Sequence, residues 1–386
     1  MSNDPMTARA DTAAYVDLAS GESYPLDRPR WRSESGHPLM ISPLPGIGRG
    51  DIDRSRRSLW RYAAALPLAV RNPVSLGEGM TPLVRRAWRG VQALFKLDYL
   101  MPTGSFKDRG ASVMISVLRQ QGVERVLEDS SGNGGAAIAG YAAAAGIGAK
   151  ILVPAATQPG KTVQMRAYGA EVELVPGTRQ DTAEEALRQA ERIFYASHNW
   201  QAFFLQGTKT LAYELWEELG FRAPDNVIVP LGAGSNVLGC DIGFCELLRH
   251  GEIGRLPRLF GVQPANCASI HASFVRGTDE PVPVAIAPTI AEGTAIAKPV
   301  RLREVLGALR RSGGATVTVS EDEIIAAFRE LAAAGLYVEP TSAGTAAALS
   351  KLVVEGTIRA EETTVLLLTG SGLKATRRIG ELLGAG

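Results

Sequence analysis

An α/β fold built on mostly parallel sheets with helices on both faces is predicted by three observations. From about residue 90 onward, short β-branched or apolar runs alternate with longer segments of helical periodicity. Several junctions between the two kinds of segment are rich in glycine. Ser320 with Glu323 opens one of the helical segments with a capping box.

In chain order the strand candidates are ALFKLDY, RVLEDS, KILVP, EVELV, NVIVPL, RLFGVQ, ATVTV and TTVLLLT. Between them lie the helix candidates SVMISVLRQQ, AAIAGYAAAA, TVQMRAYG, TAEEALRQAERIF, TLAYELWEEL, GCDIGFCELLRH, EDEIIAAFRELAAA and TAAALSKLVV. The first 60 residues break the alternation, being rich in Arg, Ser, Pro and Asp, and read as an extension that wraps the body. No repeat and no long low-complexity segment is present.

Composition narrows the function. At 386 residues with 45% hydrophobic content, the chain can bury a large core and make about two domains. Lys plus Arg number 41 against 40 Asp plus Glu, so no basic excess points to nucleic acid or a membrane surface, and small-molecule chemistry is indicated. Cys240, Cys245 and Cys267 are too few and too badly spaced for a disulfide framework or a zinc site, and they fit a reducing compartment. With no charged, apolar leader and no run near the roughly 18 apolar residues that cross a bilayer, a cytoplasmic location is expected.

Four junctions carry unusual residues. PTGSFKDRG, Pro102 to Gly110, puts Lys107 where a strand hands over to a helix. SSGNGG runs from Ser130 through Ser131, Gly132, Asn133 and Gly134 to Gly135. GAGSN comprises Gly232, Ala233, Gly234, Ser235 and Asn236, and TGSG runs from Thr369 to Gly372. Glycines let backbone approach a ligand, amides at a helix N-terminus bind anions, and ligands of open sheets sit where strands end and helices begin. Taken singly, each has a plain alternative: a G-x-G turn is a tight connection, and a lysine at a helix start snorkels from the surface. Together, a lysine that forms an imine, a glycine cradle for phosphate, an amide for a ring oxygen and a hydroxyl for a ring nitrogen would hold pyridoxal phosphate. A nicotinamide reading of GAGSNVLG lacks the acidic residue that should end a second strand about 20 positions later.

On these residues the chain resembles the pyridoxal-phosphate enzymes of the tryptophan synthase β-subunit fold (fold type II), and within them the threonine synthases. PTGSFKDRG matches their Schiff-base motif residue for residue. LGEGMTPL, Leu76 to Leu83, resembles their opening motif, EPTSAGTAAAL a later helix start, and LTGSGLK, Leu368 to Lys374, their closing motif. The resemblance runs from about residue 75 to the C-terminus. It implies an extension at 1–60 with a degenerate, metal-free ribbon, a large cofactor domain at 61–110 and 207–386, and a small mobile domain at 111–206, with the cofactor between the domains and a homodimeric assembly. Lys107 would carry the cofactor, be displaced by a small amino-acid substrate and remove its α-proton. Asn133 would bond the ring's phenolic oxygen, and Gly232, Ala233, Gly234, Ser235 and Asn236 would cradle the phosphate. Thr369 would face the pyridine nitrogen, where a hydroxyl favours an uncharged ring suited to elimination. Ser130, Ser131, Gly132, Gly134, Gly135 and Lys209 would hold the substrate.

Two departures bear on that implication. Residues 15–39 resemble the outline of a cysteine-bearing ribbon, but Asp17 with Ser20 and Arg32 with Ser35 stand where thiolates would be. In QAFFLQGTKT, Phe204 stands where the family's phosphate-clamping arginine aligns, and Gly134 replaces a threonine. His198 or Asn199 would supply a replacement donor, against the plainer expectation of a solvated loop histidine. Three readings follow. The first is threonine synthase chemistry on O-phosphohomoserine; the second is a serine or threonine dehydratase or a β-replacement enzyme; the third is a non-catalytic cofactor-binding protein, which the intact lysine motif opposes.

Overall fold

A computed structural model describes residues 13–384. The strands are β1 (Ala14–Val16), β2 (Ser23–Pro25), β3 (Met40–Ile41), β4 (Leu83–Trp88), β5 (Val91–Lys96), β6 (Arg125–Glu128), β7 (Gly148–Pro154), β8 (Glu171–Val175), β9 (Phe194–Tyr195), β10 (Asn226–Pro230), β11 (Arg258–Pro264), β12 (Ala315–Val319) and β13 (Thr364–Leu367). The helices are α1 (Lys107–Gln120), α2 (Asn133–Ala145), α3 (Pro159–Ala167), α4 (Arg179–Gln189), α5 (Ala202–Thr208), α6 (Thr210–Glu218), α7 (Ser235–Arg249), α8 (Ser269–Arg276), α9 (Leu302–Arg311), α10 (Glu321–Ala333), α11 (Pro340–Val354) and α12 (Thr376–Leu383). The described residues form two compact units, residues 13–79 with Lys107–Thr210 and Met80–Phe106 with residues 211–384. None of the described helices is long and apolar enough to cross a membrane.

The first unit holds an all-parallel sheet in the order β8-β7-β6-β9. Its apolar strands pack against α1 and α2, where Met114, Ile115, Ile138 and Tyr141 are buried together. The N-terminal segment, expected to wrap the outside, instead enters this core. Its antiparallel sheet, β2-β1-β3, inserts Tyr15 edge-on to Phe203 at 5.7 Å, and Leu26, Leu39 and Leu44 are buried with it. Residues 61–79 and 107–110 also group with this unit and not with the larger one.

A carboxylate organises the ribbon that the sequence stripped of thiolates. Asp17 accepts the amides of Ala19 at 2.8 Å and Ser20 at 3.2 Å, and its Oδ2 lies 2.9 Å from His37 Nδ1. Burial alone would raise the Asp17 pKa, but the hydrogen bonds of Ser33, Ser20 and Ala19 outweigh it and hold the carboxyl well below the usual range. One acidic side chain thus ties the turn at Ala19 and Ser20 to His37.

Glu78, also fully buried, positions α1. Its carboxylate receives Ser112 Oγ at 2.6 Å, Trp60 Nε1 at 3.0 Å, Tyr141 OH at 2.9 Å and the Leu76 amide at 2.7 Å. A buried carboxylate is stable only when so satisfied. The LGEG turn is therefore bonded to both α1 and α2.

In the second unit, six strands run in the order β12-β11-β10-β13-β5-β4. All neighbours are parallel except β4, an antiparallel edge strand whose LVRRAW sequence is too polar to register as a buried run. The strand ends carry the turns at Gly232 and Thr369, and α10 starts with the Ser320–Glu323 capping box.

Asp17→Ala is expected to cost about 0.5–1.5 kcal/mol by removing the hydrogen bonds that its carboxylate makes to the Ala19 and Ser20 amides and to His37. Because its folded pKa is depressed, the carboxyl's contribution is complete above the ordinary aspartate value of about 4 and is lost as pH falls below it. Hydrogen exchange of residues 14–41 should rise selectively in the variant, and in wild type under acid; unchanged protection would contradict the hub.

Candidate active site

Lys107 is placed by backbone pairing one residue before it. The Phe106 amide donates to Thr369 O at 2.8 Å, Ser371 N donates to Gly104 O at 3.0 Å, and Ser105 pairs with Gly370 as an antiparallel bridge. Gly104 takes φ +86°, a conformation that favours glycine, and Lys374 Nζ ties down the neighbouring Thr103 carbonyl at 2.9 Å. The chain then enters α1 at Lys107, which is half-buried.

The lysine lies over an aromatic floor. Lys107 Nζ is 5.6 Å from the ring centroid of Phe204, which is fully buried on α5. A Cβ at Gly110 would fall 2.5 Å from three Phe204 ring carbons, and one at Gly207 would overlap the Arg109 carbonyl. These two glycines let α1 and α5 meet at backbone distance.

SSGNGG links β6 to α2, with Asn133 the first residue of the helix. Ser130, Ser131 and Asn133 are half-buried, Gly132 is exposed, and Gly134 and Gly135 are buried. No side chain caps this helix. Any Cβ at Gly135 would overlap the Ser130 carbonyl, and at Gly134 it would lie 2.7 Å from the His198 ring.

His198 is not a solvated loop residue. It is 8% exposed, its amide donates to Glu128 Oε2 at 3.1 Å, and its Nδ1 lies 3.1 and 3.2 Å from the two Glu128 oxygens. The imidazole centroid is 5.7 Å from that of Phe204. Burial, and then the Lys107 charge, push its pKa below the ordinary histidine value. Next to Glu128, Asp129 accepts from Tyr195 OH at 2.7 Å and pairs with Arg179 at 2.6 Å. Lys209, read from the sequence as a substrate contact, is fully buried with its Nζ donating to Ala65 O at 2.7 Å.

In the second unit, GAGSN follows β10 and opens the 15-residue α7. Gly234 has φ +95°, and a Cβ there would overlap Val305. Gly232 is equally confined, since a Cβ would lie 2.9 Å from Gly293 O. Ala233 is half-buried, whereas Ser235 and Asn236 are buried. No side chain caps α7, and an uncapped helix start with its dipole suits an anion.

Thr369 is 1% exposed at the end of β13, and its hydroxyl lies 2.9 Å from Ser342 Oγ. Counting bonds assigns the donor. Ser342 Oγ already accepts Thr369 N at 2.9 Å and Gly370 N at 3.0 Å, which occupies both lone pairs, so its hydrogen goes to Thr369 Oγ1 at 2.9 Å or to Gly370 O at 3.4 Å and it accepts none from Thr369 Oγ1. Thr369 therefore keeps its own hydrogen to donate elsewhere. Ser342 was not singled out in the sequence, although it lies within EPTSAGTAAAL.

Within the second unit the residues fit pyridoxal phosphate: an uncapped, glycine-flanked start to α7 for its phosphate, a hydroxyl with a proton to offer, and the Ser105 hydroxyl, buried with no hydrogen-bond partner. A family model described as pyridoxal-phosphate dependent enzyme matches residues 74–370. The threonine synthase of Methanocaldococcus jannaschii is 37% identical over 371 residues, 92% of this chain and 92% of that protein. That of Methanosarcina acetivorans is 36% identical over 326 residues, 82% of this chain and 80% of its own. Among solved structures, a fungal L-serine ammonia-lyase from Rhizomucor miehei has a similar fold, with TM-score 0.71 at 22% identity over 81% of this chain and 99% of that one.

Gly134→Thr is expected to destabilise the protein by about 1–3 kcal/mol, because the new side chain meets the His198 ring. Adding His198→Ala should recover most of that loss in thermal denaturation. Purely additive effects would show that the two positions do not share the space.

Proposed function

The chain belongs to the pyridoxal-phosphate dependent enzyme family, and from that premise we propose that Lys107 holds the cofactor and then removes the α-proton of a small amino acid. The protein is a pyridoxal-phosphate dependent lyase similar to threonine synthase. Bound cofactor supplies the electron sink for chemistry at the substrate α-carbon. Gly232, Ala233, Gly234, Ser235 and Asn236 receive its phosphate on backbone amides, and Asn133 bonds its phenolic oxygen. Thr369 would donate to its ring nitrogen. The observation that carries this reading is the hydrogen-bond count at Ser342, which makes Thr369 a donor. Ser130, Ser131, Gly132, Gly134 and Gly135 bring the α2 amides to the substrate carboxylate. The enzyme works in this reading as a cytoplasmic homodimer.

The reaction proposed first is conversion of O-phosphohomoserine and water to threonine and phosphate, supported by the curated relatives. A second reading, an ammonia-lyase or β-replacement enzyme acting on serine or threonine, is favoured by Phe204. An apolar ring there offers no donor to a phosphate dianion.

Cofactor-loaded protein incubated separately with O-phosphohomoserine, O-phosphoserine, L-serine and L-threonine distinguishes the two. Phosphate and threonine from the first compound are expected under the first reading. Silence there, with ammonia and a 2-oxoacid from serine or threonine, would replace it by the second. In either case Lys107→Ala should lower turnover at least about a hundredfold; near-normal turnover would refute the lysine's role.

A further inference from the structure

Beside Lys107 the first unit carries a buried histidine–glutamate pair to which the proposed chemistry gives no task. Glu128 ends β6 with 0% exposure, and it accepts the Asp129 amide at 2.9 Å as well as the amide of His198. A carboxylate offers only acceptors, so the hydrogen between it and the imidazole sits on Nδ1. One tautomer and one ring orientation result, and Nε2 carries the lone pair. No described residue makes a hydrogen bond to Nε2. The ring rests on Gly134 and beside Phe204, the same aromatic side chain that faces Lys107 Nζ.

We propose that His198, oriented by Glu128, recognises the β-hydroxyl of the amino acid bound at Lys107, with Nε2 accepting the hydroxyl hydrogen over the apolar ring of Phe204. The subsite so formed takes a small, uncharged, hydroxyl-bearing side chain of the threonine or serine class. A phosphate dianion gains no hydrogen bond at Nε2, because it brings only acceptors to a lone pair. Threonine is the product of the first reaction above and a substrate of the second, so the inference applies to both. It rests on the reading that Lys107 holds the amino acid through the cofactor. Gly134 is part of the device, since any larger residue would push the ring from its place.

The test is binding to cofactor-loaded protein, read by the cofactor's absorbance and by titration calorimetry. L-threonine is compared with L-2-aminobutyrate, and L-serine with L-alanine, two pairs that differ only in the hydroxyl. Wild type should favour the hydroxyl member about tenfold, the scale of one hydrogen bond. His198→Phe and His198→Ala should bring the ratio near one with little change for the partner lacking the hydroxyl. His198→Gln, which retains an acceptor, should restore part of the preference. A wild-type ratio near one, or a preference that survives in both the Phe and Ala variants, overturns the proposal and leaves the lysine reading intact. A cofactor spectrum that no amino acid perturbs overturns both.

Discussion

The short backbone ladder between Gly104–Phe106 and Thr369–Ser371 is the constraint on which the site depends. Two main-chain hydrogen bonds hold it, flanking the Ser105–Gly370 bridge, at positions where a side-chain substitution has little leverage. Phe106 donates to the Thr369 carbonyl, and α1 begins at the residue that follows. Ser342 then locks the other side of the ladder, spending both lone pairs on the Thr369 and Gly370 amides. One hydroxyl thereby holds the turn and sets the direction of the Thr369 hydrogen bond.

Around the lysine, close approach is bought by glycine. Gly110 and Gly207 allow α1 and α5 to touch, and Gly134 and Gly135 allow α2 to start against Ser130 and His198. The residues at 134, 198 and 204 make sense as one arrangement. An aromatic ring at Phe204 packs with the imidazole, the imidazole fills the space above Gly134, and Glu128 satisfies the imidazole's hydrogen. Changing one position without the others leaves a clash or an unpaired buried group.

The lysine junction and the glycine turns were legible because their chemistry is local: a turn residue, a helix start and a glycine conformation are each written in a few consecutive positions. The strands were legible for a similar reason, as dense apolar runs. Several elements were not. Edge strand β4 alternates poorly, and the short helix α5 presents no exposed face, being buried along its whole length. His198 was misread because its partner lies 70 residues away. Only the parallel pairing of β9 on β6, with Val126 opposite Phe194 and Leu127 opposite Tyr195, brings Glu128 to it. An acidic residue directly after the apolar pair Val126–Leu127 of strand RVLE was the available signal. The N-terminal ribbon was placed outside the body because its polar composition hides Tyr15 and three buried leucines.

The chain has other buried lysines with structural partners: Lys96 pairs with Glu214 and Glu218 at 2.6 Å, and Lys209 donates to Ala65 O. The most direct test of the account is therefore to reduce the cofactor-loaded protein with borohydride, digest it and locate the trapped pyridoxyl group by mass spectrometry. The account predicts a single modified peptide with the group on Lys107. A modification on Lys96, Lys209 or any other lysine, or none at all in protein that retains the cofactor, would contradict it.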